Sequence, residues 1–416
     1  MRFIYSILIY LIAPFIPLYL IKRAKKNPDY KLFWNERFGF NLQNKTHRPI
    51  IWIHAVSVGE TRAVAKLIEL LGVQYPDYQI MLTQMTPTGR NTAKILYPNT
   101  YLHYLPYDMP HAVINFYKTF KPAIGLIMET EIWPNLIYYA KKFQVPLFLV
   151  NARLSDRSFR SYYKACFVIR PVLDNLTGIL CQDTNTRNNF NKLGYSGQLD
   201  IMGSIKFDLT VDQSHYALAG FLKGTNFTRK IIAFGSTREG EEQLILDAMP
   251  DQFEHLILII PRHLERFIEV EQLLINKNLK YQKRSANESL KPDTQVLLGD
   301  SLGEMFAYYI MSDIVVMGGS FVPFGGQNLI EPLYLHKPVI FGTSMYNFMQ
   351  ISKDALDMEC ALQANNISEC FVLLNRLLNE PTKYQKLSKN CNKFISRYQG
   401  ASQIVIDHIK SYKLYK

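Results

Sequence analysis

The pattern of apolar and polar residues begins with a long apolar segment. Residues 3–21 read FIYSILIYLIAPFIPLYLI and carry no charged side chain. A helix of this length spans about 30 Å, which is the thickness of a bilayer core. The segment therefore predicts a membrane anchor. Pro14 and Pro17 disfavour a straight span, so a helix that is only half buried in the bilayer stays open.

A cleaved signal peptide is the alternative for this segment. It would need a more basic start than Arg2 alone and a cleavage site of small residues, and neither is visible. We therefore favour an uncleaved anchor. The basic cluster Lys22–Lys26 follows directly and predicts that the body of the protein lies on the cytoplasmic side.

After residue 48, short apolar runs alternate with amphipathic stretches. Residues 61–71 have helical spacing, and we expect that helix to end at Gly72. The apolar runs, which we predict to be strands, cover residues 49–56, 79–85, 103–108, 123–129, 146–152, 178–183, 230–236, 255–262, 294–300, 313–319 and 338–342. Buried strands that alternate with helices predict parallel, doubly wound sheets of the α/β class.

The length of the chain predicts two domains, since 416 residues exceed one ordinary core. We expect an anchor with its basic flank over residues 1–26 and a first domain over 27–207. Residues 208–228 lack a strong period and are the predicted hinge. A second domain follows over 229–416, and we leave open whether its last helix packs back on the first. Two such domains that face a cleft would bring their strand-end loops into one crevice.

The net charge of +12 is concentrated beside the anchor. Residues 1–48 carry nine lysines and arginines against two acidic residues, a net charge of +7. A nucleic-acid-binding protein would be expected to spread its charge over a folded face. Concentration beside an apolar segment instead predicts contact with anionic lipid.

Composition and missing motifs exclude further classes. Charged residues make up 20% of a chain without low-complexity tracts, which argues against disorder. The five cysteines show no CxxC spacing, and this favours reduced thiols over disulfides or zinc. Neither HExxH nor DxD occurs, so no metal site is indicated. The chain also lacks the nucleotide-binding and hydrolase motifs GxGxxG, GxxxxGK[ST] and GxSxG.

In the first half, charged residues follow predicted strands. Gly59 would permit a sharp turn after the first strand, and Glu60 would open the next helix, whose dipole keeps a carboxylate ionised. Glu129 and Glu131 follow a buried strand, where acidic residues are costly unless paired or functional. Lys206 precedes the predicted hinge and could reach an anionic group. Taken singly, Glu60 is better explained as a helix cap and Lys206 as a solvated lysine, whereas Glu129 and Glu131 fit a loop anchor and a functional role equally well.

In the second half, four fragments also follow predicted strands. Glycine-containing loops that lead into a helix present backbone N–H groups to phosphate. Arg262 could clamp a phosphate, and Glu331, one helical turn after Asn328, could accept from ribose hydroxyls. Together these fragments predict a nucleotide-binding site, and they are Pro261–His263, Leu302–Glu304, Gly318–Ser320 and Phe324–Pro332.

The order of the motifs resembles the Kdo (3-deoxy-D-manno-octulosonic acid) transferase family. The resemblance extends from the anchor to about residue 350. It is carried by HAVSVGET, TPTG, METEIWPNLI, NARLSDRS, GSIKFD, GSTREGEE, PRHLERF, LGDSLGEM, GGSFVPFGGQNLIEP and YNF.

This resemblance implies a GT-B architecture, with an acceptor-binding and a CMP-sugar-binding Rossmann-like domain. It implies transfer of Kdo from CMP-Kdo to the lipid A precursor, lipid IVA, at the inner membrane during lipopolysaccharide synthesis, without metal or cofactor. Glu60 is implied as proton acceptor, and Glu129 and Lys206 as groups that stabilise the transition state. The implied CMP contacts are Pro261, Arg262, Leu302, Gly303, Glu304, Asn328, Leu329, Ile330 and Glu331.

The chain departs from the family's pattern at four positions. Gln327 replaces the histidine of GGHN, and Arg238 replaces the histidine of STHEGEE. Leu264 replaces the second proline of PRHPERF, and Leu302 replaces the methionine before Gly-Glu. Gln327 lies beside the implied nucleotide contacts, and a glutamine can form hydrogen bonds but cannot carry a proton charge.

Two other functions stay open from the sequence. A sugar-nucleotide epimerase of related fold would not need an anchor. A non-catalytic scaffold that binds a nucleotide at the membrane surface would not need Glu60, Glu129 and Lys206 together.

Overall fold

The computed structural model describes residues 2–412. Met1 of the predicted anchor and residues 413–416 of the predicted second domain therefore lie outside the described residues. The chain divides into two compact units. The first comprises Met1–Asp208 with Gln399–Lys416, and the second comprises Leu209–Tyr398.

The N-terminal apolar segment is helical. Helix α1 (Arg2–Ile12) and helix α2 (Ile16–Ala24) are joined by a 3-10 turn, Ala13–Phe15, that contains Pro14. Proline lacks the backbone N–H of a regular α-helix, and the 3-10 turn accommodates it. The helical segment therefore continues on both sides of Pro14. With a mean hydropathy of 2.2 over its apolar window, the 23-residue stretch Arg2–Ala24 is long and apolar enough to cross a membrane.

The first unit is built on a seven-stranded parallel sheet. Its strands lie in the order β3-β2-β1-β4-β5-β6-β7, so the sheet has a topological switch point between β1 and β4. Open α/β sheets bind ligands at such points, beyond the carboxyl ends of the strands. The strands are β1 (Ile50–His54), β2 (Gln79–Gln84), β3 (Tyr101–Tyr104), β4 (Ile124–Met128), β5 (Leu147–Ala152), β6 (Gly178–Cys181) and β7 (Gln198–Ile201).

Helices cover both faces of this sheet. Trp52 and Phe116 belong to the core on one face, and Ile53 and Leu67 belong to the core on the other. The helices are α3 (Trp34–Phe38), α4 (Val58–Ala63), α5 (Ala65–Gln74), α6 (Pro87–Leu96), α7 (Pro110–Phe120), α8 (Pro134–Lys142), α9 (Asp156–Lys164), α10 (Cys166–Leu173) and α11 (Thr184–Lys192).

The second unit holds another seven-stranded parallel sheet, ordered β10-β11-β9-β8-β12-β13-β14, with its switch point between β8 and β12. Its strands are β8 (Ile231–Thr237), β9 (Leu256–Pro261), β10 (Tyr281–Lys283), β11 (Val296–Leu298), β12 (Ile314–Met317), β13 (Val339–Phe341) and β14 (Ala361–Gln363). Its helices are α12 (Gln213–Lys223), α13 (Glu241–Ala248), α14 (Arg266–Asn276), α15 (Met305–Met311), α16 (Ile330–Tyr334), α17 (Met349–Asp357), α18 (Ile367–Asn379) and α19 (Pro381–Tyr398). The last helix, α20 (Ala401–Ser411), packs against α5 in the first unit.

The predicted class, two doubly wound parallel sheets with an N-terminal apolar helix, is confirmed. Three details differ from the prediction. Gly72 does not end its helix: it lies on the exposed face of α5, which continues to Gln74. The segment 208–228 contains α12, whose buried Leu222 joins it to the second unit. The strands β7, β10 and β14 were not predicted.

Candidate active site

Glu60 lies at the carboxyl end of β1, in the first turn of α4. Ser57 caps this helix: its Oγ accepts from the Glu60 N–H at 3.4 Å and donates to Glu60 Oε1 at 3.0 Å. Glu60 Oε2 accepts from the Val56 N–H at 2.8 Å. This arrangement, close to a capping box, fixes the orientation of the carboxylate. The predicted turn at Gly59 is wrong in detail, since Gly59 lies inside α4 and the cap residue Ser57 makes the turn.

Two further carboxylates follow the neighbouring strand β4. Glu129 has a left-handed backbone with φ of 58°, and its N–H donates to the Val150 carbonyl at 2.9 Å. A residue other than glycine adopts this conformation only when its surroundings hold it there. Glu131 accepts from the indole N–H of Trp133 at 2.8 Å. The strand end therefore presents two acidic side chains in a constrained loop.

The charges of the three carboxylates act on one another. Burial raises the pKa of Glu60, the hydrogen bonds from Val56 and Ser57 lower it, and the negative charges of Glu129 and Glu131 raise it. Burial raises the pKa of Glu131, and the charge of Glu129 adds to that effect. The structure thus gathers three carboxylates at the switch point of the first sheet. A carboxylate with a raised pKa is suited to act as a general base near neutral pH.

Lys206 adds a positive charge to this group. It lies in a 3-10 turn, Ile205–Phe207, that follows β7, and its Nζ is 3.8 Å from Glu129 Oε1. The turn is held from β5, because Asn151 Oδ1 accepts its first backbone N–H at 3.3 Å. Both charged side chains keep substantial exposure, 48% for the lysine and 30% for the glutamate. Glu60, Glu129 and Lys206 therefore lie together in the first unit.

In the second unit, Arg262 follows β9 and is exposed. Its backbone N–H donates to the Thr237 carbonyl at 3.0 Å, and its guanidinium forms no ion pair within residues 2–412. The charges of Arg262 and Glu331 both act on the hydroxyl of Tyr309, and burial raises the pKa of that hydroxyl. The neighbouring Pro261 is buried as the last residue of β9. The guanidinium is thus free to meet an anion.

Glu304 has a partner that the sequence did not indicate. Arg284 holds its carboxylate in a bidentate ion pair, with both nitrogen–oxygen distances at 2.9 Å. Ser301 Oγ donates to the same carboxylate at 2.5 Å. The turn before it contains Gly303, with φ of 81°, and Leu302, which is 58% exposed. This pairing occupies the Glu304 carboxylate, so the exposed residues Leu302 and Gly303 are the part of that turn that a ligand can reach.

Asn328 and Glu331 are in contact, as their spacing predicted. Asn328 Nδ2 donates to Glu331 Oε1 at 3.0 Å, and Asn328 Oδ1 accepts from the Ile330 N–H at 3.1 Å. Leu329 and Ile330 are buried in the core. Their predicted contribution to nucleotide binding can therefore come only from their backbone, because their side chains pack inside the unit.

Sequence reasoning missed the role of Glu241. This fully buried carboxylate accepts from three backbone N–H groups: Gly319 at 2.6 Å, and Arg238 and Phe321 at 3.1 Å. Burial raises its pKa. It ties the loop after β8 to the loop after β12. Glu241 belongs to the sequence motif GSTREGEE, but the motif alone indicated no role for its two acidic residues.

Comparison with known proteins identifies the family. Residues 33–209 match the family described as 3-Deoxy-D-manno-octulosonic-acid transferase (kdotransferase). The chain is 34% identical over 420 residues to the 3-deoxy-D-manno-octulosonic acid transferase of Haemophilus influenzae. That alignment covers 99% of this chain and 98% of the relative.

Solved structures share the fold at low sequence identity. The UDP-GlcNAc 2-epimerase from Neisseria meningitidis bound to UDP-GlcNAc has a TM-score of 0.58 and 15% identity, covering 87% of this chain and 100% of that one. A glycosyltransferase from Rickettsia africae ESF-5 has a TM-score of 0.56 and 12% identity, covering 88% and 98%. An epimerase and a glycosyltransferase thus share this fold, and the long sequence match decides between them. The chain belongs to the Kdo transferase family and is a GT-B glycosyltransferase of lipopolysaccharide synthesis.

Proposed function

We propose that this protein transfers Kdo from CMP-Kdo to the lipid A precursor, lipid IVA, with inversion at the anomeric carbon and without a metal ion. The observation that carries the proposal is the group of charges at the first switch point. There Glu60 at the start of α4, Glu129 after β4 and Lys206 after β7 lie together. A general base beside a pair of opposite charges is what glycosyl transfer to a hydroxyl requires.

Glu60 removes the proton of the acceptor hydroxyl as that hydroxyl attacks the sugar. Its carboxylate is oriented by Val56 and Ser57 before substrate arrives, so little reorganisation is needed. Its raised pKa makes it a stronger base than an exposed glutamate once it is ionised. The attack occurs on the face opposite the departing phosphate, and the configuration therefore inverts.

Glu129 and Lys206 stabilise the transition state. Departure of CMP leaves an oxocarbenium-like centre, and a fixed carboxylate nearby favours that developing positive charge. Lys206, 3.8 Å from Glu129, forms an ion pair with this carboxylate and holds it beside the reacting sugar. The exposure of both side chains leaves them accessible to the sugar.

The second unit binds the nucleotide. Arg262, which has no ion-pair partner within residues 2–412, meets the phosphate, and the Asn328–Glu331 pair offers acceptors to the ribose hydroxyls. A single phosphate needs less neutralisation than a diphosphate, and this fits the missing DxD motif. Within residues 2–412, no three His, Cys, Asp or Glu side chains cluster as metal ligands.

We place the protein at the inner membrane, with both units on the cytoplasmic side. The support is the apolar helical stretch Arg2–Ala24 together with the basic cluster Lys22–Lys26 that closes it. One face of α1 rests on the first unit: Ser6 Oγ donates to Asn135 Oδ1 at 3.0 Å. The exposed apolar face of the helix then meets the lipid that carries the acceptor.

The test is a transfer assay with the purified full-length chain, CMP-Kdo and lipid IVA in detergent. We expect release of CMP, a gain of Kdo mass on the acceptor, and no loss of rate with a chelator. A large loss that added metal restores would contradict the metal-free mechanism. Epimerisation of a UDP-sugar without transfer would favour the epimerase, and CMP binding without any turnover would favour the scaffold.

A further inference from the structure

Arg238 is a cation at the second switch point that the donor site described above does not use. It follows β8 directly, at the edge where the carboxyl ends of β8 and β12 meet. Its side chain is half-buried and forms no ion pair within residues 2–412. A guanidinium keeps its charge at any physiological pH. A partly buried cation without a counter-ion at a ligand-binding edge points to an anionic ligand.

Two neighbours hold the Arg238 guanidinium in one place. Its Nη1 lies 2.8 Å from His263 Nε2, and its central carbon lies 4.4 Å from the centre of the Phe324 ring. Because arginine can only donate, the histidine nitrogen accepts in this contact. The ring face of Phe324 attracts the cation. Most of the five N–H donors stay available while the group is kept in position.

Gln327 lies against the same glycine as Arg238. A Cβ atom on Gly319 would lie 3.1 Å from Arg238 Cγ and 3.3 Å from Gln327 Nε2. Gly319 has a φ of 67°, a backbone conformation that other residues rarely adopt. The close neighbours of a Cβ atom and this conformation both favour glycine at the position. The amide of Gln327 has no hydrogen-bond partner within residues 2–412. The absence of a Cβ on Gly319 thus leaves room for the stem of Arg238 and for the amide of Gln327.

Two backbone N–H groups of the loop after β12 are not available to an anion. The Gly319 and Phe321 N–H groups both donate to the buried carboxylate of Glu241, at 2.6 and 3.1 Å. Glycine loops at switch points commonly bind phosphate through such groups. With these two donors occupied, nearby side-chain donors become the stronger candidates to meet an anion at this edge.

We propose that Arg238 and Gln327 together bind the phosphate of the cytidine nucleotide. The inference rests on the proposed function, because it takes the second unit to hold that nucleotide. Arg238 supplies a charge-assisted donor and Gln327 a neutral one, and Arg262 follows the adjacent strand β9. Arg238 and Gln327 both depart from the family's pattern, so the pair is a property of this chain.

The experiment compares binding of CMP and of cytidine to the full-length protein by calorimetry. R238A removes a charge-assisted donor, so CMP binding should weaken by about 10- to 100-fold while cytidine binding stays unchanged. Q327A should weaken CMP binding by less, about 3- to 10-fold. R376A is the matched control, since Arg376 pairs with Glu380 on α18 and should not affect either ligand.

Equal losses for CMP and cytidine would mean that Arg238 only holds the loops, and would overturn the inference. Unchanged CMP affinity would overturn it as well. If R238A does not fold, R238K replaces it. Lysine keeps the positive charge but lacks the planar set of guanidinium donors, so we expect the affinity for CMP alone to fall by less than tenfold. Wild-type protein that does not bind CMP would refute the proposed donor itself, which is distinguishable from a variant that binds CMP normally.

Discussion

The strength of Glu60 as the proposed base depends on its neighbours. A general base must be ionised, so kcat/KM should fall as pH drops through the pKa of Glu60. That pKa is raised by burial and by the charges of Glu129 and Glu131. In E131Q one of these charges is gone, and the acidic limb of the pH profile should move to lower pH. E69Q, on the surface of α5, is the control. A limb that stays in place, or moves upwards, would show that another group titrates.

Arg262 should contribute to binding of CMP rather than to stability. Its guanidinium is exposed and has no carboxylate partner within residues 2–412. R262A should weaken CMP binding by about 1.5–3 kcal/mol, the range for a charge-assisted hydrogen bond, and leave thermal unfolding unchanged. Calorimetry on both proteins measures the difference. Equal affinities would remove Arg262 from the donor site.

The sequence predicted the positions of site residues that depend on local spacing. It did not predict contacts between residues that are far apart in the chain. Glu60 could be placed because a strand, a cap residue and a helix lie within a few positions of one another. The contact between Glu129 and Lys206 joins residues far apart in the chain, and only the resemblance to a family linked them. The ion pair of Arg284 with Glu304 is also non-local, and no pattern indicated it.

At the scale of elements, Asp208 joins the end of the first unit to the last helix. Its carboxylate accepts from the Gly400 N–H at 2.7 Å and the Ser402 N–H at 2.5 Å, at the start of α20. D208A should leave these donors unsatisfied and destabilise the first unit by about 1–3 kcal/mol. Asp212, which caps α12 in the second unit through the Ser214 N–H, provides the matched variant D212A.

Hydrogen exchange separates the two effects. D208A should increase exchange in α20 and in α5, on which it packs, and leave α12 protected. D212A should do the reverse. If both variants increase hydrogen exchange equally in α20 with α5 and in α12, the two caps do not act on separate cooperative units.

Central strands were predictable, whereas three of the four edge strands were not. The central strand β1 is a continuous apolar run because both of its faces are buried. The unpredicted strands β7, β10 and β14 are the short edge strands QLDI, YQK and ALQ, of which only one side is paired. The return of α20 to the first unit depends on packing with a helix more than 300 residues earlier, which local periodicity does not report.

At the scale of the whole molecule, the N-terminal helix should supply proximity to a lipid acceptor and no chemistry. Deleting residues 1–26 should release the protein from membranes and lower activity on acceptor in bilayers much more than on acceptor in detergent. CMP binding should not change, because its predicted contacts lie in the second unit. Equal losses in both assays would mean that the segment helps to form the fold or the acceptor site.

A substitution avoids the contacts that the deletion removes. Leu8 and Leu11 are exposed on α1, whereas Ser6 faces the first unit. L8E/L11E should therefore weaken membrane attachment while α1 stays on the first unit. If the double variant remains bound to membranes at high salt, a second apolar surface must exist. The exposed Leu32, Phe33 and Phe40 would be the first to test.

The proposed mechanism assigns proton removal to the first unit and nucleotide binding to the second, and one variant tests this division most directly. E60Q keeps the shape of the side chain but removes the base. Turnover of CMP-Kdo with lipid IVA should fall by about 10²- to 10⁴-fold, while the Kd for CMP stays at the wild-type value. Near-normal turnover in E60Q would contradict the assignment of Glu60 as the base, and a matching loss of CMP affinity would contradict the division of roles between the two units.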